Sequence, residues 1–94
     1  MKNKHKGSSL ESFLENENLL EKAEATAVKR VVSYQLEKAI EKKHISKKEM
    51  AESMHTSRSA LDRILDPENI SVTLQSLVKV AHAVGKKLRI SFSN

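Results

Sequence analysis

The side chains best suited to specific polar contact are crowded into "HTSRSALDR", residues 55–63. Short hydroxyl residues compete with the helical backbone and favour caps and turns, so Thr56, Ser57 and Ser59 between two apolar runs mark a break between helices. Leu61, Ile64 and Leu65 then recur at i, i+3, i+4 spacing. That leaves Arg58, Ser59, Asp62 and Arg63 on the other face of one helix, with Ser57 as its N-cap. A guanidinium at Arg58 suits paired bonds to guanine O6 and N7, worth about 1–3 kcal/mol of discrimination. Asp62, one turn on, either orients Arg58 or accepts from cytosine N4. Ser59 suits a base or a phosphate, and Arg63 suits the phosphate backbone.

Two further polar groups fit phosphate. Ser46, Lys47 and Lys48 combine a helix start with two ammonium groups, and Asn69, Ser71 and Thr73 form a weaker clamp before a later helix. Taken singly such residues are ordinary caps; convergence on one polar face gives them weight. Catalysis finds no comparable support. His5, His44, His55 and His82 lack metal-ligand spacing, and no Ser-His-Asp order, Gly-rich phosphate loop or paired carboxylates occur. The chain is expected to be no enzyme and to need no metal or cofactor.

Ninety-four residues suffice for one small core. The chain is 38% hydrophobic but only 3% aromatic, with two Gly and one Pro, which is material for helices rather than for a sandwich. The absence of cysteine removes disulfides and thiol chemistry, and with no apolar run long enough for a signal or a span, a cytoplasmic protein without membrane contact is expected. Formal charge is +5, unevenly spread: residues 8–24 hold five Glu against one Lys. The remainder is basic, which points to a polyanion, and the acidic segment points to a different partner.

These groups need elements to position them. Residues 1–7, "MKNKHKG", read as a disordered basic arm. Ser8-x-x-Glu11 is a capping-box pattern that starts an acidic helical extension over residues 8–24, with "NEN" at 16–18 ending its first helix. From Leu19 to about Lys43, the residues Ala25, Val28, Val32, Leu36, Ala39 and Ile40 form the stripe of a long core helix. Ser46-x-x-Glu49 opens a short helix carrying Met50, Ala51 and Met54 inward, and residues 57–65 follow as the polar-faced helix. "DPEN" stops that one. A last helix from about Thr73 is expected to bury Leu74, Leu77, Val78, Ala81 and Val84 before a Gly85 cap. In "KKLRISFS" the period changes to 2, which predicts one short strand over residues 87–94; needing a partner, it would pair across a homodimer or with another protein.

Two short helices joined by about three residues beneath a longer one have the organisation of a helix-turn-helix unit, whose second helix lies in the DNA major groove. "ISKKEMAESMHTSRSALDRIL" followed by "SVTLQSLVKVAHAVGKKL" resembles the XRE-type (Cro/lambda-repressor) helix-turn-helix family over about residues 25–87. That resemblance implies a mostly α fold: a lambda-repressor-like domain of about five helices over residues 25–86, with an acidic N-terminal helix and a short C-terminal β-strand. In the family's turn a Gly, an apolar residue and a capping Ser are usual. Ser57 matches the last, whereas His55 and Thr56 stand at the first two.

More narrowly, the acidic leader joined to "TSRSALDRILDPENISVTLQSLVKVAHAVGKKLRISF" resembles the XRE-type antitoxins of bacterial HigBA-like toxin–antitoxin pairs. The resemblance implies a homodimer that represses its own operon by binding double-stranded operator DNA and neutralises a small basic, RelE-like mRNA-cleaving toxin. Two other readings are a stand-alone phage-like repressor and a protein-interaction module that does not bind DNA. For the dimer, the sequence offers the final strand or Val80 and Ala83 of the last helix, and the strand is favoured.

Overall fold

A computed structural model describes residues 5–94, with side chains described from Leu10 onward except Leu14. It is mostly helical: α1 (His5–Lys43), α2 (Lys47–Ser53), α3 (Arg58–Leu65) and α4 (Leu74–Ala83). The first four residues of the expected basic arm lie outside the described residues, and residues 5–7 already belong to α1.

The chain therefore has four helices among the described residues where about five were expected, because the acidic extension and the core helix are one element. Neither Ser8 nor "NEN" interrupts it. Asn costs only a few tenths of a kcal/mol more than its neighbours in a helix, and no Pro forces a break. Thirty-nine residues at 1.5 Å each give about 58 Å, and the longest dimension of the molecule is 57 Å. The 18.1 Å radius of gyration exceeds the roughly 12 Å of a compact chain of this length. The N-terminal part of α1 reaches beyond the body.

The core joins the C-terminal part of α1 to the three short helices. Leu36 and Ile40 of α1 meet Met50 and Ala51 of α2, Leu61 and Leu65 of α3, and Val80 and Val84 at the end of α4. Met50, Leu61 and Val80 are the largest fully buried side chains. The expected α1 stripe holds only from Val32 onward, for Ala25 and Val28 are exposed. Leu74 is likewise exposed rather than buried. Val80, one of the two last-helix residues considered for a dimer contact, is sealed in the core, and Ala83 packs against it.

Two α1 cations tie the segment after α3 to the long helix. Lys29, only 4% exposed, donates from Nζ to the Asp66 carbonyl at 2.6 Å, and Arg30 donates to the Glu68 carboxylate at 2.9 Å. Burial lowers the Lys29 pKa against the opposing pull of Asp66. The expected C-terminal strand is absent: no strand occurs among the described residues, and 86–94 is irregular. A lone strand has no ladder to join within one chain. No helix among the described residues is long and apolar enough to cross a membrane.

Candidate nucleic-acid interface

The turn between α2 and α3 sets the direction of the polar helix. Met54 caps α2, and His55 follows with φ 57°, in the left-handed region. The His55 amide donates to the Glu52 carbonyl at 3.1 Å and the Thr56 amide to the Ala51 carbonyl at 2.9 Å. This is the paired bonding of a Schellman cap. It recurs at the end of α4, where Gly85 has φ 74° and the amides of Gly85 and Lys86 donate to His82 and Ala81. His55 thus occupies a conformation that the other cap gives to glycine, as a residue tolerant of that region can.

Ser57 begins α3 directly: its Oγ accepts from the Ala60 amide at 3.0 Å. With Leu61 and Leu65 anchored in the core, the 100° advance per residue turns Arg58, Ser59, Asp62 and Arg63 outward, and all four are exposed. Arg58 Nε donates to Asp62 Oδ1 at 3.2 Å. The pair is more than half exposed and contributes no more than a few tenths of a kcal/mol to stability. Its effect is orientation. Only Nε is engaged among the described residues, so the two terminal nitrogens of Arg58 stay available for a second, bidentate partner.

Arg63, Asn69, Ser71 and Thr73 come together along one groove of about 490 Å³ beside α3, whose floor also includes Ala60, Ile64 and Val72. Three of them are committed to its shape. Asn69 Nδ2 donates to the Arg63 carbonyl at 2.9 Å, and Asn69 Oδ1 accepts from the Ser71 amide at 3.0 Å. Thr73 Oγ1 caps α4 by accepting from the Ser76 amide at 3.0 Å. Arg63 and Asp66 bring opposite charges to the wall, neither in an ion pair among the described residues; the Asp66 carboxylate accepts from the Glu68 amide at 2.9 Å. Thr56 and Ser76 also line the groove; the sequence reading passed over both. The Thr73-to-Ser76 spacing of an N-cap and its N3 residue was the available signal.

The third expected group separates. Ser46 and Glu49 form a full capping box: the Glu49 amide donates to Ser46 Oγ at 3.0 Å, and the Ser46 amide donates to Glu49 Oε1 at 3.1 Å. Those bonds from Ser46 backbone and side chain hold the Glu49 carboxyl below its ordinary range. Lys47 is drawn back to Glu37 of α1 at 3.0 Å. Lys48 is exposed and unpaired among the described residues. Of the trio, Lys48 is the cation best placed for an outside anion. No cluster of three or more His, Asp or Glu side chains able to hold a metal occurs among the described residues.

No protein-family model matches the chain, and no curated protein and no solved structure matches it either.

Proposed function

We propose that the chain is a sequence-specific DNA-binding regulator in which α2 and α3 form a lambda-repressor-like helix-turn-helix unit and α3 lies in the major groove. One observation carries this reading: Leu61 and Leu65 bury one face of α3 while Arg58, Ser59, Asp62 and Arg63 stand exposed on the other. Arg58, Ser59 and Asp62 face the base edges, with Asp62 holding the guanidinium for guanine. Arg63, Lys48 and the Asn69–Ser71–Thr73 rim take the backbone, and Ser46, Lys47 and Ser57 support them at the two helix starts. Two such units in a homodimer read half-sites about 34 Å apart.

The test is Arg58→Ala in a binding titration on DNA from upstream of the chain's own reading frame, with salt held fixed. Operator affinity is expected to fall about tenfold or more, with little change on unrelated DNA. Equal affinity for operator by both proteins would overturn direct readout by α3, and binding of neither to any DNA would leave a module that engages protein instead.

A second element of the proposal is the antitoxin role, for which the acidic part of α1 speaks. Glu11, Glu15, Glu17, Glu21 and Glu24 are exposed, and Leu10, Phe13 and Leu20 beside them belong to no core. Such a surface suits a small basic toxin by charge and by apolar contact. Co-purification with the product of an adjacent reading frame tests it. A lone gene, with no such product, leaves a stand-alone repressor.

A further inference from the structure

Residues 66–73 carry Asn69, Ser71 and Thr73 to the rim of the groove beside α3, and they are neither helix nor strand. The segment shapes itself with its own polar groups. The Glu68 amide donates to Asp66 Oδ1 at 2.9 Å, the Asn69 amide to the Asp66 carbonyl at 3.0 Å and the Ser71 amide to Asn69 Oδ1 at 3.0 Å. Such bonds fix the local form of a turn and leave its placement on the body to other contacts. Apolar packing places it only in part. Ile70 and Val72 are half-buried, and both border an open concavity of about 410 Å³ against Val28, Val32 and Leu77.

Polar ties complete the placement. Asn69 Nδ2 reaches the Arg63 carbonyl at the end of α3. Two more ties come from consecutive residues of α1. Lys29 Nζ donates to the Asp66 carbonyl, so that one oxygen receives both the α1 ammonium and the Asn69 amide. Arg30 grips Glu68 with a fork, Nε to Oε2 at 2.9 Å and Nη2 to Oε1 at 3.3 Å. Successive helix residues point about 100° apart. The turn is thus held at residues 66 and 68 from two directions, and it cannot swing about either point while the other holds.

We propose that Lys29 and Arg30 are positioning residues for the groove rim: from α1 they set where Asn69 and Ser71 meet the DNA backbone, and they touch neither base nor phosphate themselves. The inference rests on the DNA-binding reading above and adds to it two residues outside the helix-turn-helix unit. Arg30 is a poor phosphate ligand in its own right, because its Nε–Nη2 edge is occupied and the Glu68 carboxylate beside it repels an anion. Exposure bounds the size of its effect. The Arg30 and Glu68 side chains are 62% and 61% exposed, and an exposed pair shifts an equilibrium by no more than about fivefold. Lys29, being buried, holds the firmer tie.

The experiment measures dissociation constants on operator and on unrelated DNA over a range of salt. It compares wild type, Arg30→Ala, Glu68→Ala, Lys29→Met and the exchanged pair Arg30→Glu with Glu68→Arg, each shown by thermal unfolding to be folded at the assay temperature. Glu68→Ala is the decisive variant. Deleting an acid strengthens DNA binding by charge alone, whereas loss of a positioning group weakens it. Both alanine variants are expected to bind either DNA about two- to fivefold more weakly, with the operator preference and the salt slope unchanged. The exchanged pair should recover most of the loss, and Lys29→Met should lose at least as much as Arg30→Ala. Tighter binding by Glu68→Ala overturns the inference. So does a salt slope reduced by about one in Arg30→Ala, which would make Arg30 a phosphate contact itself, and so does wild-type affinity in Lys29→Met. Placement is also read without DNA: the Asn69 and Ser71 amides should exchange hydrogen faster in Arg30→Ala while those of α2 keep their rates. Unchanged exchange overturns the inference whatever the DNA result. Faster exchange in a protein that binds no DNA leaves α1 as the support of the rim and overturns the DNA-binding reading.

Discussion

Arg58 and Asp62 sit one turn apart on the exposed face of α3, with Arg58 Nε donating to Asp62 Oδ1 at 3.2 Å. The carboxylate holds the guanidinium by one edge. It also adds a negative charge to the exposed face of α3, which repels any polyanion that approaches it. Removing it has two opposed effects on DNA binding: less repulsion on any sequence, and more rotational freedom for Arg58. For Asp62→Ala we expect affinity for unrelated DNA to rise severalfold while the ratio of operator to unrelated affinity falls about tenfold. Competition titrations at one salt concentration measure both. An unchanged ratio would show that Asp62 does not position the base-reading group.

This site was legible in sequence wherever it depended on one helix. The periodicity of Leu61, Ile64 and Leu65 dictates which side chains of α3 turn outward, and Ser57 dictates where it starts. Contacts between elements were not legible. That Lys47 turns to Glu37, or that Lys29 and Arg30 reach residues 66 and 68, depends on how α1 crosses the rest. Local pattern carries no such information.

The αL conformation of His55 gives a stability prediction. An L-residue there costs about 1–2 kcal/mol relative to the right-handed region, and glycine escapes most of that at the cost of a more flexible unfolded chain. We expect His55→Gly to stabilise the fold by about 0.5–1 kcal/mol and His55→Val to destabilise it by more. Urea unfolding of the three proteins decides the matter. A destabilising His55→Gly would mean that the imidazole supplies a contact worth more than its strain.

Lys29 is a buried cation whose ammonium rests on the Asp66 carbonyl. Burial is the main cause of its lowered pKa. Between that lowered value and the ordinary 10.5, the unfolded chain binds more protons than the folded one, so stability rises with pH through this alkaline window. Lys29→Met keeps most of the side-chain volume and removes the titration. The rise should vanish in the variant, which loses about 1–3 kcal/mol at neutral pH because the Asp66 carbonyl loses its bond from the ammonium. A variant with the wild-type alkaline profile would place the titration elsewhere.

The fold shows the same division between local and distant causes as the site. The caps at Ser46, Ser57 and Thr73 follow from residue type and spacing, and each stands where the spacing puts it. α1 overran its expected breaks because "NEN" is a weak objection to a helix rather than a stop. Val80 was legible as well, for Leu77, Val80, Ala81 and Val84 recur at i, i+3, i+4, i+7 and so share the face of α4 that is buried. The tail has strand alternation without a strand, since pairing requires a second segment that the monomer does not offer.

The capping box at the start of α2 makes the last prediction, one of sign. Glu49 has its carboxyl pKa lowered by the bonds from Ser46, so the unfolded chain takes up a proton at a higher pH than the folded one. Its contribution is complete above the ordinary carboxylate range and is lost as pH falls through the lowered value. Glu49→Gln retains an oxygen for the Ser46 amide and should lose this part of the acid sensitivity. Ser46→Ala removes the cap itself and should cost about 1 kcal/mol at neutral pH. Thermal unfolding from neutral pH down into the acid range separates the two. A Glu49→Gln profile parallel to wild type would show that carboxylates other than this one govern acid unfolding, and a silent Ser46→Ala would show that α2 needs no cap once Met50 and Ala51 are packed.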